Sequence, residues 1–267
     1  MSKAHTPYET LAVEHRDGVD WLTLNRPEQF NALNRAMMDE LLDYFGALYF
    51  NHAVRVVVLR GAGKHFCAGL DLNEAGDFTT SVAAGARGQR RVAEIILRMR
   101  RCPQPIVALV QGAATGAGIA FTLASDVRYA ADNARFNVAM AKIGLTGCDV
   151  GISYFLPRAV GTSNAAELMM TGRFVNAERA LRIGLVSDVM ASDALEEAGR
   201  TLAAEMTAMS PLGLRLTKEG LNLSQDAGSL EAVIALEDRG QVMCLGPFLE
   251  EGAAAFLEKR APRYSDD

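Results

Sequence analysis

The 267-residue sequence is poor in cysteine and contains no long hydrophobic run. Its four cysteines, Cys67, Cys102, Cys148 and Cys244, lie far apart and form no C-x-x-C pair. This spacing indicates neither a disulfide framework nor a structural metal site. The first residues lack the apolar segment of a signal peptide, and no stretch is apolar enough to cross a membrane. These absences predict a cytoplasmic protein with free thiols.

Several catalytic motifs are missing as well. The sequence has no G-x-x-x-x-G-K-[ST], no G-x-S-x-G and no H-E-x-x-H, and Phe121 stands where a dinucleotide motif beginning at Gly116 and Gly118 needs its third glycine. These gaps argue against an NTPase, a serine hydrolase, a zinc enzyme and a nicotinamide dehydrogenase. The net charge of −5 argues against nucleic-acid binding.

The sequence does contain a regular alternation of strand-like and helix-like segments. Runs rich in β-branched residues precede glycine-bearing loops and segments of helical spacing, which predicts an α/β fold with several strand-then-helix units. After about residue 193 only helical patterns remain. We therefore expect a core over residues 1–195 and a helical region over 196–267 that serves oligomerisation and acts as a lid. The predicted strands include "VDWLTLN", "VRVVVLRG", "PIVALVQG" and "VRYAA".

Two glycine-bearing loops, "FCAGLD" and "TGAGI", each follow a buried strand and lead into a helix or helical turn. The neighbouring glycines leave the N–H groups of Ala68 and Ala117 unobstructed, and helix N-termini expose unpaired N–H groups. Two such donors on one oxygen would polarise a carbonyl, each contributing about 3–4 kcal/mol in a transition state. The glycines are equally consistent with close strand–helix packing alone.

Six stretches of the sequence carry a resemblance by their order and spacing. They are "NRPEQFNALN", "FCAGLDL", "VQGAATGAG", "LPRAVG", "TGRFVNAERALRIGLVSDV" and "EGAAAFLEKRAPRY". Together they resemble the enoyl-CoA hydratase/isomerase (crotonase) superfamily over nearly the full length. The resemblance implies a spiral of ββα units with a helical C-terminal region, assembled as homotrimers or paired trimers. It also implies an acyl thioester of coenzyme A as substrate, no separate cofactor or metal, and a thioester carbonyl held by Ala68 and Ala117.

The same resemblance implies which residues contact the substrate and its coenzyme. The Arg26 and Lys259 cations match family positions that meet the coenzyme, and the two glycine loops supply most of the remainder. The implied set is Arg26, Ala68, Gly69, Leu70, Asp71, Leu72, Gly116, Ala117, Met140 and Lys259.

The two acid–base positions of family hydratases hold different residues here. By motif spacing, Ala120 and Met140 occupy the places of the two glutamates, and neither side chain carries a proton. Positioned acid–base groups contribute about 10²–10⁴-fold in rate, so ordinary hydration is not expected. Asp149 is the best replacement, because related dienoyl-CoA isomerases use an aspartate from the same loop. Asp149 also precedes an apolar helical run and is well placed as its N-cap, and both interpretations remain open.

Other polar residues are weaker candidates. His65 is near the first glycine loop and Cys148 adjoins Asp149, but neither has an evident catalytic partner. We expect Asp71 to cap a turn and Asp126 to close a helix. Most arginines of the predicted helix over residues 85–101 should form a solvated face. One or two of them should lie near the nucleotide part of coenzyme A.

The sequence thus predicts an acyl-CoA enzyme that stabilises a thioester enolate and performs isomerisation or another proton-shuffling reaction. A catalytically silent acyl-CoA-binding protein and a thioester or C–C bond hydrolase on the same scaffold are the alternatives.

Overall fold

The computed structural model describes residues 8–74 and 80–265. The described strands form two sheets, one of six strands and one of three. The strands are β1 (Leu11–Arg16), β2 (Val19–Leu24), β3 (Val56–Gly61), β4 (Ile106–Val110), β5 (Ala113–Thr115), β6 (Val127–Ala131), β7 (Arg135–Asn137), β8 (Val175–Asn176) and β9 (Asp188–Met190).

Five of the ten described helices begin at a residue whose side chain makes a capping hydrogen bond. Asn34 accepts the N–H of Met37 at 3.0 Å, and Ser81 accepts that of Ala84 at 3.1 Å. Within residues 8–74 and 80–265, no helix is both long and apolar enough to cross a bilayer. The helices are α1 (Arg35–Leu48), α2 (Val82–Arg101), α3 (Ala117–Ala124), α4 (Ile152–Val160), α5 (Thr162–Thr171), α6 (Ala177–Arg182), α7 (Leu195–Thr207), α8 (Pro211–Ser224), α9 (Leu230–Met243) and α10 (Pro247–Glu258).

The larger sheet has the order β1-β2-β3-β4-β6-β9, and only the β1–β2 pair is antiparallel. Helices cover both faces, as the continuous apolar runs of β3 and β4 require. Alternate residues point to opposite faces, so Val57 and Leu59 join the core under α1 and α2, whereas Val56 and Val58 pack with α7 on the other face. The predicted α/β architecture is confirmed.

The smaller sheet has the order β5-β7-β8 and lies beside the second glycine loop. Its first strand, β5, is not among the predicted strands and ends at Thr115, the first residue of the "TGAGI" loop. It forms because Ala114 pairs with Phe136 of β7. The edge strand β1 also escaped the sequence analysis. Its burial pattern is largely exposed, so it lacks the apolar run that identifies central strands.

Of the four C-terminal helices, α7 covers the sheet, and α8, α9 and α10 come after it in the chain. Leu195 and Ala203 of α7 pack into the core of the sheet, so the predicted boundary at residue 195 falls at the start of a core helix. In α8, the buried Lys218 ammonium donates to the carbonyls of Met99 and Gln104 at 3.1 and 2.7 Å. No residue of α9 is buried. The division into two domains stays a prediction.

Candidate active site

The first glycine loop is held by backbone hydrogen bonds on both sides. The N–H of Cys67 donates to Ala113 O at 3.0 Å, which fixes the loop to β5. The N–H of Ala68 donates to Phe30 O at 3.0 Å. This hydrogen bond contradicts the prediction that the Ala68 N–H is free to bind a substrate oxygen. Two residues further along the loop, the Leu70 N–H has no acceptor in the described part of the chain.

The geometry around Gly69 explains why Leu70 has the free amide. Leu33 donates its N–H to Gly69 O at 2.7 Å and accepts the N–H of Asp71 at 3.0 Å. In an extended segment successive N–H groups point to opposite sides, so the Leu70 N–H turns away from Leu33. It has no acceptor within residues 8–74 and 80–265. Gly69 adopts φ +96°, a conformation that glycine accepts without steric cost.

The second glycine loop leads directly into helix α3. Gly116 is the N-cap with φ +56°, and Ala117 is the first helical residue. The Gly116 N–H donates to Asn137 O at 3.3 Å, whereas the Ala117 N–H has no acceptor in the described part of the chain. An unpaired N–H at a helix N-terminus carries partial positive charge. The prediction that Ala117 offers a free backbone donor therefore agrees with the local hydrogen bonding.

The two loops touch each other. Thr115 Oγ1 donates to Ala68 O at 2.8 Å, which ties one loop to the other. A Cβ placed on Gly69 would lie 3.1 Å from Thr115 O and 3.6 Å from Ala117 N. A Cβ on Gly116 would lie 3.3 Å from Gly69 Cα. Only glycines permit this approach, and it brings the loop of Leu70 beside the free amide of Ala117.

A cavity of about 160 Å³ opens between the two loops. We call it the loop cavity. Leu70 and Ala117 both line it, and most of its other walls are apolar. Of the described residues that line it, Asp149 is the only one with an ionisable side chain. The lining residues are Leu33, Ala68, Gly69, Leu70, Leu72, Gln89, Val92, Gly116, Ala117, Ala139, Met140, Ile143, Leu145, Asp149 and Val150.

Asp149 lies in the wall of the cavity and does not cap a helix. Helix α4 begins at Ile152, its N-cap is Gly151, and no side chain makes the capping hydrogen bond. The Asp149 carbonyl accepts the N–H of Ile152 at 2.8 Å, but its carboxylate accepts a hydrogen bond from Gln89 Nε2 of α2. The N-cap interpretation is therefore wrong. The carboxylate is directed by a contact with α2.

The backbone beside Asp149 is strained. Val150 adopts φ +35°, an outlier for a β-branched residue. Such conformations cost about 1–3 kcal/mol and cluster at functional sites, where the surrounding structure holds them. Here the strained residue follows the only ionisable side chain that lines the cavity within the described residues.

Ala120 and Met140 occupy two different environments. Met140 lines the loop cavity, and its Sδ lies 3.9 Å from a Cβ placed on Gly116. Ala120 is 1% exposed and belongs to the hydrophobic core. Neither side chain supplies a proton donor or acceptor, which leaves Asp149 as the ionisable side chain among the described residues that line the cavity.

Arg26 and Asp71, two predicted coenzyme contacts, bind each other. Arg26 Nη1 lies 3.0 Å from Asp71 Oδ2, and its Nη2 lies 3.2 Å from Glu74 Oε1. The second Asp71 oxygen accepts the N–H of Asn73 at 3.1 Å, which forms the predicted turn. The cation of Arg26 is thus neutralised by two carboxylates, and Arg26 does not line the loop cavity.

The remaining candidates lie outside the loop cavity. His65 Nδ1 accepts the N–H of Ala113 at 3.1 Å, and burial together with Arg135 and Lys64 lowers the pKa of the imidazole. His65 therefore has a structural contact with the start of β5. Cys148 is exposed, and the exposed Lys259 ends α10 with φ +55°.

Asp126 has a structural role, but it does not close the helix as predicted, because Ser125 is the C-cap of α3. Its carboxylate accepts the N–H of Ile106 at 2.8 Å and pairs with Arg100 at 3.1 Å and Lys218 at 2.9 Å. It thereby connects β4, α2 and α8.

The fold and cavity define a class of α/β proteins in which two glycine loops border one small, mostly apolar cavity. The sequence profile of the family described as enoyl-CoA hydratase/isomerase matches residues 14–267, and the chain belongs to this family. The predicted crotonase fold is confirmed by a crystal structure of an enoyl-CoA hydratase from Bacillus anthracis, which superposes with a TM-score of 0.92 at 30% identity. The match covers 97% of this chain and 100% of the other.

Curated relatives have more than one activity in their names. The protein named "Probable enoyl-CoA hydratase EchA12" of Mycobacterium tuberculosis is 41% identical over 265 residues, covering 96% of this chain and 93% of the relative. The 1,2-epoxyphenylacetyl-CoA isomerase of Escherichia coli is 33% identical over 251 residues, covering 93% of this chain and 95% of the relative. The chain is therefore an acyl-CoA-binding, hydratase/isomerase-like member of the family.

Leu70 is the residue that the sequence analysis assigned only to binding. In each loop the free amide belongs to the residue that follows a glycine with positive φ. Applying this rule to both loops would have identified Leu70 as the first donor. Gly69 precedes Leu70 and Gly116 precedes Ala117. Choosing Ala68 instead placed the first donor before its glycine.

Proposed function

We propose that the loop cavity binds the thioester carbonyl of an acyl-CoA between the N–H groups of Leu70 and Ala117. Both residues line the cavity, and neither N–H has an acceptor among the described residues. Each donor aimed at a developing oxyanion contributes about 3–4 kcal/mol to the transition state. The bound thioester then loses an α-proton readily, because the negative charge moves onto an oxygen that two amides stabilise.

We propose Asp149 as the group that moves this proton. It is the only ionisable residue in the described lining of the cavity, and this observation carries the proposal. In an isomerisation the carboxylate takes a proton from the α-carbon and returns it to the γ-carbon, while the double bond shifts between them. One carboxylate suffices for this exchange, because the proton removed is the proton returned.

Hydration of a conjugated thioester makes a larger demand. A water molecule must be deprotonated while another proton reaches the α-carbon, and family hydratases divide these tasks between two glutamates. We infer that Ala120 and Met140 replace both glutamates in this chain, so isomerisation or a related proton transfer is the better supported reaction. Gln89, which donates to the Asp149 carboxylate, fits a reaction that uses one oriented carboxylate.

Coenzyme A enters as part of the substrate in this proposal, and no other cofactor is required. Leu72 is 62% exposed at the edge of the loop cavity and offers an apolar surface to the pantetheine arm. Because Arg26 is bound by Asp71 and Glu74, the exposed Lys259 is the better candidate for a phosphate contact.

We also propose that the chain assembles as a homotrimer or a dimer of trimers in a cytoplasmic compartment. The C-terminal helices α9 and α10 expose large apolar side chains, including Leu230 at 69%, Phe256 at 82% and Leu257 at 79%. Exposed apolar surface of this kind is typical of protein interfaces. Light scattering on the purified protein gives its mass, and a monomer would contradict the assembly.

One set of assays tests the function. The purified protein should bind acyl-CoA and turn over 3-enoyl or 3,5-dienoyl thioesters, measured by the absorbance of the conjugated product. Binding without turnover of any thioester would support the silent acyl-CoA-binding protein instead. Brisk hydration of a 2-enoyl thioester would show that the assignment of Ala120 and Met140 is wrong.

A further inference from the structure

A second cavity of about 360 Å³ adjoins the loop cavity. The two cavities share Leu33 and Leu70 in their walls. The second one lies between the start of α1 and the first half of α2, and its walls include Arg35, Arg87 and Arg91. We call it the arginine cavity.

The two carboxylates in the walls of the arginine cavity already have partners. Asp71 is bound by Arg26 Nη1 at 3.0 Å, and Glu74 is bound by Arg26 Nη2 and by Asn34 Nδ2, both at 3.2 Å. With the Asp39 carboxylate that pairs with Arg91, three carboxylates stand against the four guanidinium groups of Arg26 and the cavity arginines, so the charge of the group is +1 (4 − 3).

The arginines, in contrast, keep unused donors. Within residues 8–74 and 80–265, neither Arg35 nor Arg87 has a hydrogen-bond or ion-pair partner. Arg91 pairs with Asp39 through Nη2, but its buried Nε has no acceptor in the described part of the chain. Guanidinium groups bind carboxylates through paired, charge-assisted hydrogen bonds. The arginine cavity thus has the chemistry of an anion-binding site.

The volumes of the two cavities indicate that the anion belongs to the acyl chain of the substrate. Small-molecule sites usually occupy about 300–1,000 Å³, whereas the loop cavity alone has about 160 Å³. An acyl chain longer than a few carbons must extend beyond it. The arginine cavity adjoins it through the shared wall of Leu33 and Leu70 and provides the missing space.

We propose that the arginine cavity holds the far end of the acyl chain and binds a carboxylate there through Arg87 and Arg35. The substrates would then be thioesters of dicarboxylic acids, with one carboxyl joined to coenzyme A and the other free. This inference rests on the proposed function, because it takes the loop cavity as the site of the thioester. It makes Arg87 a determinant of substrate specificity.

The test compares saturated thioesters that differ only at the far end, because saturated probes bind without reacting. Succinyl-, adipoyl- and suberoyl-CoA are titrated by calorimetry against butanoyl-, hexanoyl- and octanoyl-CoA. Charged hydrogen bonds of this kind are worth about 10- to 100-fold in affinity. The wild-type protein should prefer the carboxylate of the fitting chain length by that factor, and Arg87→Gln should remove most of the preference.

Arg90→Gln is the matched control, because Arg90 is exposed on the same helix and does not line the cavity. It should leave the preference unchanged. Arg35→Gln provides a second variant if Arg87→Gln does not fold, and Arg87→Glu should make the carboxylate the weaker ligand. The absence of a preference at every chain length in the wild type would overturn the proposal.

Two outcomes separate this inference from the proposed function. If Arg87→Gln weakens free coenzyme A as much as it weakens adipoyl-CoA, the arginines hold a coenzyme phosphate and the inference fails alone. If the wild type binds none of the thioesters, both proposals fail.

Discussion

Leu70 and Ala117 occupy equivalent positions in the two glycine loops, although 47 residues separate them (117 − 70). Each follows a glycine with positive φ, each lines the loop cavity, and neither N–H has an acceptor among the described residues. A glycine in that conformation redirects the peptide that follows it. The two loops thus use one device to present a backbone donor to one cavity, and the free amides do not depend on the side chains at these positions.

Replacing Gly69 with alanine should damage catalysis more than stability. Its Cβ would lie 3.1 Å from Thr115 O and 3.6 Å from Ala117 N, and φ is +96°. The loop must shift, which moves the Leu70 N–H away from the substrate oxygen. Losing one oxyanion donor costs about 10²–10³ in kcat. Steady-state kinetics of Gly69→Ala on the thioester that the wild type turns over measures this loss.

Gly161→Ala controls for backbone strain. Gly161 also has positive φ, at +78°, but a Cβ there meets nothing within 4 Å. Both variants should lose about 1–3 kcal/mol of stability from the strained conformation, while only Gly69→Ala should lose activity. Equal kcat values for Gly69→Ala and the wild type would show that the Leu70 amide does not bind the reacting oxygen.

The sequence was sufficient to predict the glycine loops but not which amide each loop leaves free. Ala68 and Leu70 flank the same glycine, and only the pairing of the segment with Leu33 decides between them. That pairing joins two segments that are distant in sequence, and local propensity does not encode such a contact. The cap assigned to Asp149 failed for a related reason. The turn at Val150 and Gly151, both with positive φ, starts the helix later than the apolar pattern suggested.

Asp149→Asn should abolish turnover while binding persists. Asparagine has nearly the same shape and can still accept the hydrogen bond from Gln89 Nε2, but it does not transfer a proton at neutral pH. General acid–base catalysis contributes about 10²–10⁴-fold, so kcat should fall by that factor with little change in the dissociation constant of a saturated acyl-CoA. Calorimetry and single-turnover kinetics separate the two quantities.

Asp193→Asn serves as the control, because Asp193 is exposed and lies outside the loop cavity. It should match the wild type in both measurements. An Asp149→Asn variant that retains full kcat would remove the aspartate from the mechanism and leave the cavity without an acid–base group.

The four thiols should react with alkylating reagents at very different rates. Burial raises the pKa of the Cys67 thiol to about 12 from 9.0, and Cys102 is also buried, whereas Cys148 is exposed. Because the thiolate is the reactive species, Cys148 should be alkylated first, and Cys67 only after unfolding. Mass spectrometry of tryptic peptides gives the order. Cys148→Ser should remove the fast phase without altering the slow ones.

The same shift predicts how alkaline pH acts on stability. A thiol whose folded pKa lies above its unfolded pKa favours folding while it is protonated. The contribution of Cys67 is therefore fully present below pH 9 and is lost as the pH rises toward 12. Urea titrations across this range should show a smaller alkaline loss of stability in Cys67→Ala than in the wild type. An equal loss in both proteins would contradict the linkage.

Lys218→Met should destabilise the protein strongly, although the residue lies far from the glycine loops in sequence. Its side chain is 3% exposed, and its ammonium pairs with Asp126 at 2.9 Å. Removing one member of a buried pair costs about 3–5 kcal/mol. Arg100 also neutralises Asp126, so we expect about 3 kcal/mol in urea unfolding. Because the pair interacts directly, adding Asp126→Asn should cost less than the sum of the single changes.

The control is Lys64→Met, because Lys64 is exposed. It should change stability by less than about 0.5 kcal/mol. A loss below about 1 kcal/mol in Lys218→Met would mean that water, rather than this contact, satisfies the Asp126 carboxylate.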